Sequence, residues 1–294
     1  MTKSLKSHPF ILAGTIVLAL VPSLKAATIA GWDFDTVGTQ PAGFNTPAAT
    51  SGTGQAMQLG MTNSFTFASG EGPGSVAACD VLASAGASTG SGSFGWRVRG
   101  NSNTAGAGAG MANGWNSQAP IGTQGAEFSL STMNFAGITI SADINATGQA
   151  ERNLAIEYTL NDTVGSPVWQ NATITSAGSL GTLATNSSSA NTITGNYVEL
   201  SGGGTGWNNQ ITATIPAAAN NDPNFAIEIV NASTGADDVN TSGAALNNSS
   251  GNWRFDNVVI SGTAVPEPTA GIAMLGGLGV LLGFGKMRRA SRKA

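Results

Sequence analysis

The sequence has little charge, one cysteine and, over most of its length, neither lysine nor histidine. Only 10% of its 294 residues are Asp, Glu, Lys or Arg, against roughly 25% in an ordinary soluble domain. The single cysteine, Cys79, excludes an internal disulfide. The one histidine is His8, and residues 27–264 contain no lysine. A Ser-His-Asp or Cys-His nucleophile, a histidine-ligated zinc ion and a Schiff-base lysine are therefore excluded from this central region.

The basic residues that do occur are concentrated at the two ends. Three of the 12 lie in residues 1–26, and five lie in the last nine positions. Residues 27–264 keep four arginines against 15 acidic residues, a net charge of −11 rather than the −4 of the whole chain. So acidic a body argues against nucleic acid as a partner, because the phosphate backbone would be repelled.

Residues 1–26 have the three parts of a secretory signal peptide. Lys3 and Lys6 precede an apolar run over residues 10–21, and Pro22 and Ser23 end that run before a small-residue site. We expect a signal helix with cleavage after Ala26. A membrane anchor is the alternative, but 12 apolar residues span only about 18 Å as a helix, too short for a hydrocarbon core of roughly 30 Å.

The C-terminus, residues 265–294, has a different three-part design. Pro266, Glu267 and Pro268 come first, and the two prolines favour an extended, accessible segment. An apolar run over residues 270–285 would span about 24 Å as a helix, enough for a short transmembrane helix. The five basic residues after it are expected to stay on the cytoplasmic side.

This tail resembles the PEP-CTERM sorting signal of Gram-negative bacteria, and Pro266, Glu267 and Pro268 carry the match. The resemblance implies a membrane enzyme, exosortase, as partner, transient insertion in the inner membrane, and removal of the tail near the motif. It further implies delivery to the cell surface or to secreted exopolysaccharide. An ordinary C-terminal membrane anchor is the alternative.

Residues 27–264 are predicted to form one all-β domain, an antiparallel β-sandwich or jelly roll. Leu154, Ile156 and Tyr158 alternate with polar or small residues, as in a strand with one buried face. Comparable runs cover residues 64–68, 94–99, 137–144, 168–175, 197–200, 210–215, 225–230 and 253–261. Segments 70–92, 100–125 and 231–251 are rich in Gly, Ala, Ser and Asn, and they predict long surface loops.

Several stretches of this body also resemble PEP-CTERM proteins that have a jelly-roll body. Residues 151–162 followed by 168–175 resemble their strand–turn–strand, residues 29–35 their first strand and residues 253–262 their closing strand. What this resemblance implies is limited to the fold.

Three aspartates are candidate calcium ligands. Asp33 and Asp35 fall in the predicted first strand and Asp256 in the last, and the terminal strands of a sandwich often pair. Calcium takes about 6–8 oxygen ligands, which three carboxylates and nearby carbonyls could supply. Asp237 and Asp238 form a second candidate. The alternative for both sets is that these aspartates are ordinary solvated surface residues and that the protein has no cofactor.

Trp115 and Trp207 lie in polar, glycine- and asparagine-rich segments and are candidate sugar-binding residues. An exposed indole could stack on a sugar ring while Asn116, Asn208 and Asn209 bind its hydroxyls. Partial packing beneath loops is the alternative for both rings.

The sequence therefore predicts a secreted or cell-surface protein without catalytic activity. Its leading function is a structural or adhesive role in exopolysaccharide or biofilm, and a carbohydrate-binding module is the alternative. A glycoside hydrolase is the third hypothesis, since paired carboxylates could serve one; the Glu-x-Asp-x-x-Glu motif of laminarinases is absent.

Overall fold

The structure is a computed structural model that describes residues 25–35, 46–60, 79–83, 94–98, 115–163, 165–201, 203, 206–246 and 251–265. These residues form fifteen strands and two short 3₁₀ helices, Ala217–Ala219 and Gly235–Asp237. The strands are β1 (Ala26–Trp32), β2 (Ser51–Gly52), β3 (Gln55–Leu59), β4 (Cys79–Ala83), β5 (Phe94–Val98), β6 (Gly125–Leu130), β7 (Phe135–Ala146), β8 (Asn153–Thr159), β9 (Gln170–Asn171), β10 (Thr173–Ala177), β11 (Thr182–Asn186), β12 (Gly195–Glu199), β13 (Asn208–Thr214), β14 (Phe225–Asn231) and β15 (Trp253–Ala264).

The described strands form two antiparallel sheets. The first sheet has the order β10-β13-β7-β15-β1-β2, and it also holds β5, which pairs with β15, and β4, which pairs with β5. The second has the order β11-β12-β8-β14-β6-β3, with β9 paired to β8. Most neighbours in these sheets are far apart in sequence, so the fold rests on long-range pairing.

Strand β15 joins the two ends of the domain. One edge pairs with β7 along most of its length. On the other edge, residues 253–255 pair with β5 and residues 258–263 pair with β1. Asn257 lies between these halves with φ +46°, at a shift in register. The first and last described strands are therefore neighbours.

The core lies between the two sheets. In β7, Ile138, Ile140 and Ile144 are buried, whereas Thr139 is exposed, as period-two alternation requires. Across the core, the Trp32 ring of the first sheet meets the Phe128 ring of the second edge-on, with centroids 5.0 Å apart. Buried aromatic side chains of this size supply much of the hydrophobic stabilisation of a domain.

The predicted antiparallel β-sandwich is confirmed, and two predicted loops are wrong. The segment 70–92 contains β4, which pairs with β5. In the segment 231–251, the described residues 231–246 contain a 3₁₀ helix and bury Asp238 and Asn240, so they do not form one long surface loop. Strands β3, β6 and β11 lie outside the runs that the alternation indicated.

The predicted signal helix and C-terminal transmembrane helix lie outside the described residues. Within the part of the chain that the structure describes, no helix is long and apolar enough to cross a membrane.

Candidate functional site

A polar cleft of about 360 Å³ opens beside the β11–β12 hairpin of the second sheet. Its walls are formed by Asn153, Thr185, Asn186, Ser189, Thr192, Tyr197, Glu199, Ala236, Asp237 and Val239. Tyr197 and Glu199 lie two residues apart on β12 and so share one face of the strand. Asp237 reaches the cleft from the 3₁₀ helix Gly235–Asp237.

Asp237 is fixed in the cleft by hydroxyl groups. Its Oδ2 accepts hydrogen bonds from Ser189 Oγ and, at 2.9 Å, from Thr192 Oγ1. Asn186 holds the loop that carries these hydroxyls, because its Nδ2 donates to the carbonyl oxygens of Ser189 and Thr192 at 2.8 and 2.7 Å. The carboxylate is therefore oriented before any ligand arrives.

The opposite wall of the cleft combines charge with an aromatic ring. Arg152 Nη2 and Glu199 Oε2 form an ion pair. Tyr197 is half-buried beside it, and burial, followed by the charge of Glu199, raises the pKa of its phenol. The phenol therefore stays neutral near pH 7 and can both donate and accept a hydrogen bond. Together the walls offer an aromatic face, two carboxylates and several hydroxyl and amide groups.

A second polar feature, the glutamate row, crosses the outer face of the same sheet. Glu127 of β6, Glu228 of β14 and Glu157 of β8 stand opposite one another in register. Glu228 is only 2% exposed. A Cβ atom on Gly122, which has φ +78°, would lie 2.9 Å from Glu157 Oε2, so the chain at Gly122 passes directly over these carboxyls.

Burial raises the pKa of each carboxyl in the glutamate row. For Glu228, burial, the charge of Glu157 and the hydrogen bond with it raise the pKa to about 9. Burial also raises the pKa of Glu157, which the hydrogen bond with Glu228 partly offsets. Burial also raises the pKa of Glu127, and the hydrogen bond that it accepts from Ser129 Oγ at 2.9 Å partly offsets this rise. At neutral pH the Glu228 carboxyl is thus protonated and can donate to Glu157.

A larger cavity of about 660 Å³ lies elsewhere in the sandwich. Ile29, Leu130, Phe135 and Phe225 contribute much of its lining, and Asp162 is the carboxyl that reaches it. Serine and threonine hydroxyls also line it, but it has one acidic side chain where the polar cleft has two, so it is the weaker candidate site.

Comparisons with known proteins assign no function to these features. No protein-family model and no curated protein matches the sequence. Among solved structures, the chain is similar to the CBM22-1 xylan-binding domain of Paenibacillus barcinonensis Xyn10C. The match covers 84% of this chain and all of that domain, with 10% identity and a TM-score of 0.38.

The structure buries the two tryptophans that were candidate sugar-binding residues, as their packing beneath loops would require. Trp115 is fully buried, and its ring lies 4.4 Å from that of Trp253. Trp207 is 4% exposed. Asn208 is also internal, since its Nδ2 donates to the carbonyl oxygens of Ile144 and Ser201. The sugar-stacking hypothesis needed exposed rings, so burial of both rings contradicts it and agrees with the packing alternative.

The three aspartates predicted to bind calcium are not brought together. Strands β1 and β15 do pair, as expected. Asp33 and Asp35, however, lie in a turn beyond β1, where Asp33 Oδ1 accepts a hydrogen bond from the Asp35 backbone at 2.9 Å. Asp256 instead stands opposite Asp143 of β7. Among the described residues, no group of three or more His, Cys, Asp or Glu side chains is arranged to hold a metal ion.

The sorting residues Pro266, Glu267 and Pro268 lie outside the described residues, which end at Val265. The last strand, β15, ends one residue earlier, at Ala264.

Sequence reasoning pointed to Asp237 but missed Tyr197, Glu199 and the glutamate row. The cleft combines residues from β8, β11, β12 and a distant 3₁₀ helix, so no local spacing marks it. Two of these glutamates can be recognised in the sequence. The tripeptide Ala-Ile-Glu occurs at 155–157 and at 226–228, each time inside an apolar run, where an isolated glutamate indicates a buried carboxyl.

Proposed function

We propose that this chain is an exported protein that binds neutral extracellular polysaccharide through the polar cleft, without catalysis, and so acts as an adhesive component at the cell surface. The observation that carries the proposal is the cleft itself, which is lined by a tyrosine, by an oriented carboxylate and by the glutamate of an Arg–Glu pair. Sugars offer an apolar ring face and many hydroxyls, and a pocket with a few converging polar groups suits them.

The electrostatics of the body favour a neutral polysaccharide over an acidic one. Residues 27–264 carry a net charge of −11. Within the cleft, Glu199 and Asp237 contribute two carboxylates and Arg152 one positive charge beside them. A uronic-acid polymer would meet like charge both at long range and in the cleft.

A binding role is better supported than hydrolysis. Glycosidases need two carboxyls about 5–9.5 Å apart, with the sugar between them. Glu228 has its pKa raised to about 9 and Glu157 also has its pKa raised, but these two carboxyls are hydrogen-bonded to each other. Glu228 is also buried, and the chain at Gly122 passes over the pair. A sugar ring has no room between them.

Export and sorting rest on the sequence. The N-terminal segment has the form of a signal peptide, and Pro266, Glu267 and Pro268, the apolar run and the basic tail have the form of a sorting signal. In this proposal exosortase removes the tail in the inner membrane, and the sandwich is released to the surface or to the exopolysaccharide.

Polysaccharide binding is tested by affinity electrophoresis of the full-length protein in gels that contain xylan, a β-glucan, dextran or, as the acidic comparison, alginate. We expect retardation by at least one neutral polymer and none by alginate. Asp237→Asn and Tyr197→Ala should each weaken binding roughly 10- to 100-fold, since a hydrogen bond to a charged group contributes about 1.5–3 kcal/mol.

Asp162→Asn is the matched control, because it removes one carboxylate from the larger cavity and leaves the polar cleft intact. It should bind like the unmodified protein. Absence of retardation by every neutral polymer, or unchanged binding by both cleft variants, would refute the proposal.

A further inference from the structure

Two buried carboxyls, Glu151 and Asp238, are brought to one face of a short antiparallel ladder behind the polar cleft. Glu151 forms a bridge with Asn240, and the Arg152 backbone N–H donates to the Val239 carbonyl oxygen at 3.0 Å. Asp238 is two residues before Asn240. Since residues two apart in an extended segment point to the same side, Glu151 and Asp238 are diagonal neighbours on one face.

Each of these carboxyls has an oxygen without a hydrogen-bond partner. Glu151 is 0% exposed and Asp238 is 3% exposed. Glu151 Oε1 accepts hydrogen bonds from the Asn153 backbone at 2.8 Å and from Ser233 Oγ at 3.0 Å, but Oε2 has no partner. Asp238 Oδ1 is likewise buried and unpartnered. Buried polar atoms of this kind are rare in proteins and indicate an ion or water that completes them.

Neither carboxyl forms an ion pair with a residue that the structure describes. Arg152 is the basic residue next to them in sequence, and it pairs with Glu199 on the cleft side. A buried carboxylate without a partner costs several kcal/mol. Burial raises the pKa of Asp238 to about 8, the direction expected of a carboxyl that lacks a countercharge.

We propose that Glu151 Oε2 and Asp238 Oδ1 bind a divalent cation, calcium by preference. Both donors are hard carboxylate oxygens, which suit calcium, and backbone carbonyls and water can fill its remaining positions. The site uses two carboxylates, so it is consistent with the absence of any group of three acidic, His or Cys ligands among the described residues. It does not include Asp33, Asp35 or Asp256.

The cation would fix the segment that positions Asp237. Asp237 reaches the polar cleft, while the neighbouring Asp238 is turned to the interior. Asn153 ties the two sides together, since its Nδ2 donates to the Asp237 carbonyl oxygen at 3.1 Å and to Ser233 Oγ at 2.9 Å. The cation site is independent of the sugar proposal, because it is argued from buried carboxyls outside the cleft.

The test is calcium binding to the full-length protein after removal of metal with a chelator. Equilibrium dialysis with radioactive calcium should show one saturable site per chain. At free calcium a hundredfold above the dissociation constant, Tm should rise by about 5–10 °C relative to chelator alone. Tryptophan fluorescence offers a local readout, because Trp253 Nε1 donates to the Glu151 carbonyl oxygen at 2.8 Å and Trp115 packs on Trp253.

The variants Glu151→Gln and Asp238→Asn keep the shape of each side chain and remove its charge. Each should weaken calcium binding at least tenfold and abolish the Tm shift. Asp162→Asn, a charge-matched change at the larger cavity, should leave both unchanged. If a variant fails to fold, equilibrium dialysis of the unmodified protein still tests whether the chain has a saturable calcium site. Lack of saturable binding there, or undiminished binding by both folded variants, would overturn the proposal.

Discussion

Replacing Glu228 with glutamine should remove about one proton's share of the pH dependence of stability, while the buried Asp238, whose pKa is also raised, keeps its own share. Glu228 is 2% exposed, in register with Glu157 and Glu127 on the outer face of the second sheet. Burial, followed by the charge of Glu157 and the hydrogen bond with it, raises its pKa to about 9 from an ordinary value of 4.5. The folded protein therefore keeps a proton that the unfolded chain releases.

The sign and size of the effect follow from this difference. Between pH 5 and pH 8 the folded state binds about one proton more than the unfolded state at Glu228. Stability therefore falls as pH rises, by about 1.4 kcal/mol per pH unit, or on the order of 4 kcal/mol over this window. Glutamine keeps the shape and the hydrogen-bonding capacity of the side chain but carries no titrating proton.

Urea denaturation at pH 5, 6, 7 and 8, in the presence of chelator, measures this contribution. The Glu228→Gln protein should gain stability relative to the unmodified protein as pH rises, by up to about 4 kcal/mol at pH 8. Glu199→Gln is the matched control. Its ion pair with Arg152 lies at the surface, so it should cost less than about 1 kcal/mol and keep the original pH dependence. Parallel stability profiles for Glu228→Gln and the unmodified protein would contradict the assigned burial and protonation of Glu228.

Two further predictions concern the backbone and the C-terminus. Gly52→Ala should destabilise the fold by about 2–5 kcal/mol in urea denaturation, because Gly52 has φ +72° and a Cβ there would lie 1.9 Å from the Ile29 carbonyl oxygen. Gly137→Ala is its control, since Gly137 has φ +64° with nothing within 4 Å of the added Cβ, and equal costs for the two would show that the clash is absent. Deletion of residues 265–294 should release the protein into the medium of the producing cells, measured by immunoblot of cell and medium fractions, and continued surface retention would refute sorting by this segment.

The strand prediction is confirmed for residues 154–159 and 225–230, which lie in β8 and β14. Both strands are buried along almost their whole length, so the local apolar pattern was sufficient to mark them. It failed for β4 and for the packed segment 231–251, whose order comes from partners elsewhere in the chain. Cys79–Ala83 pairs with β5, and Val239 in the second segment accepts a hydrogen bond through its carbonyl oxygen from the Arg152 backbone N–H. Composition does not report such pairing.

In the candidate sites, too, the local sequence marks single residues but does not show which residues meet. Asp237 could be singled out from its sequence neighbours, but its role in the cleft depends on Ser189 and Thr192, more than forty residues away. For Trp115 and Trp207 the local sequence left both exposure and packing open, because the polarity of neighbouring residues says little about where a ring points, and the structure shows packing. Glu157 and Glu228 stand out as isolated acids in apolar runs, yet only strand register makes them partners.

By itself the sequence determined the class of fold, the acidity of the body and the absence of histidine and lysine chemistry, because these depend on composition and on the period of local alternation. Tertiary structure alone decided which carboxyls meet, which tryptophans are buried and where a ligand can enter. The physical reason is that strand pairing joins residues far apart in the chain, and a shift of register by one residue would turn each of these side chains to the opposite face.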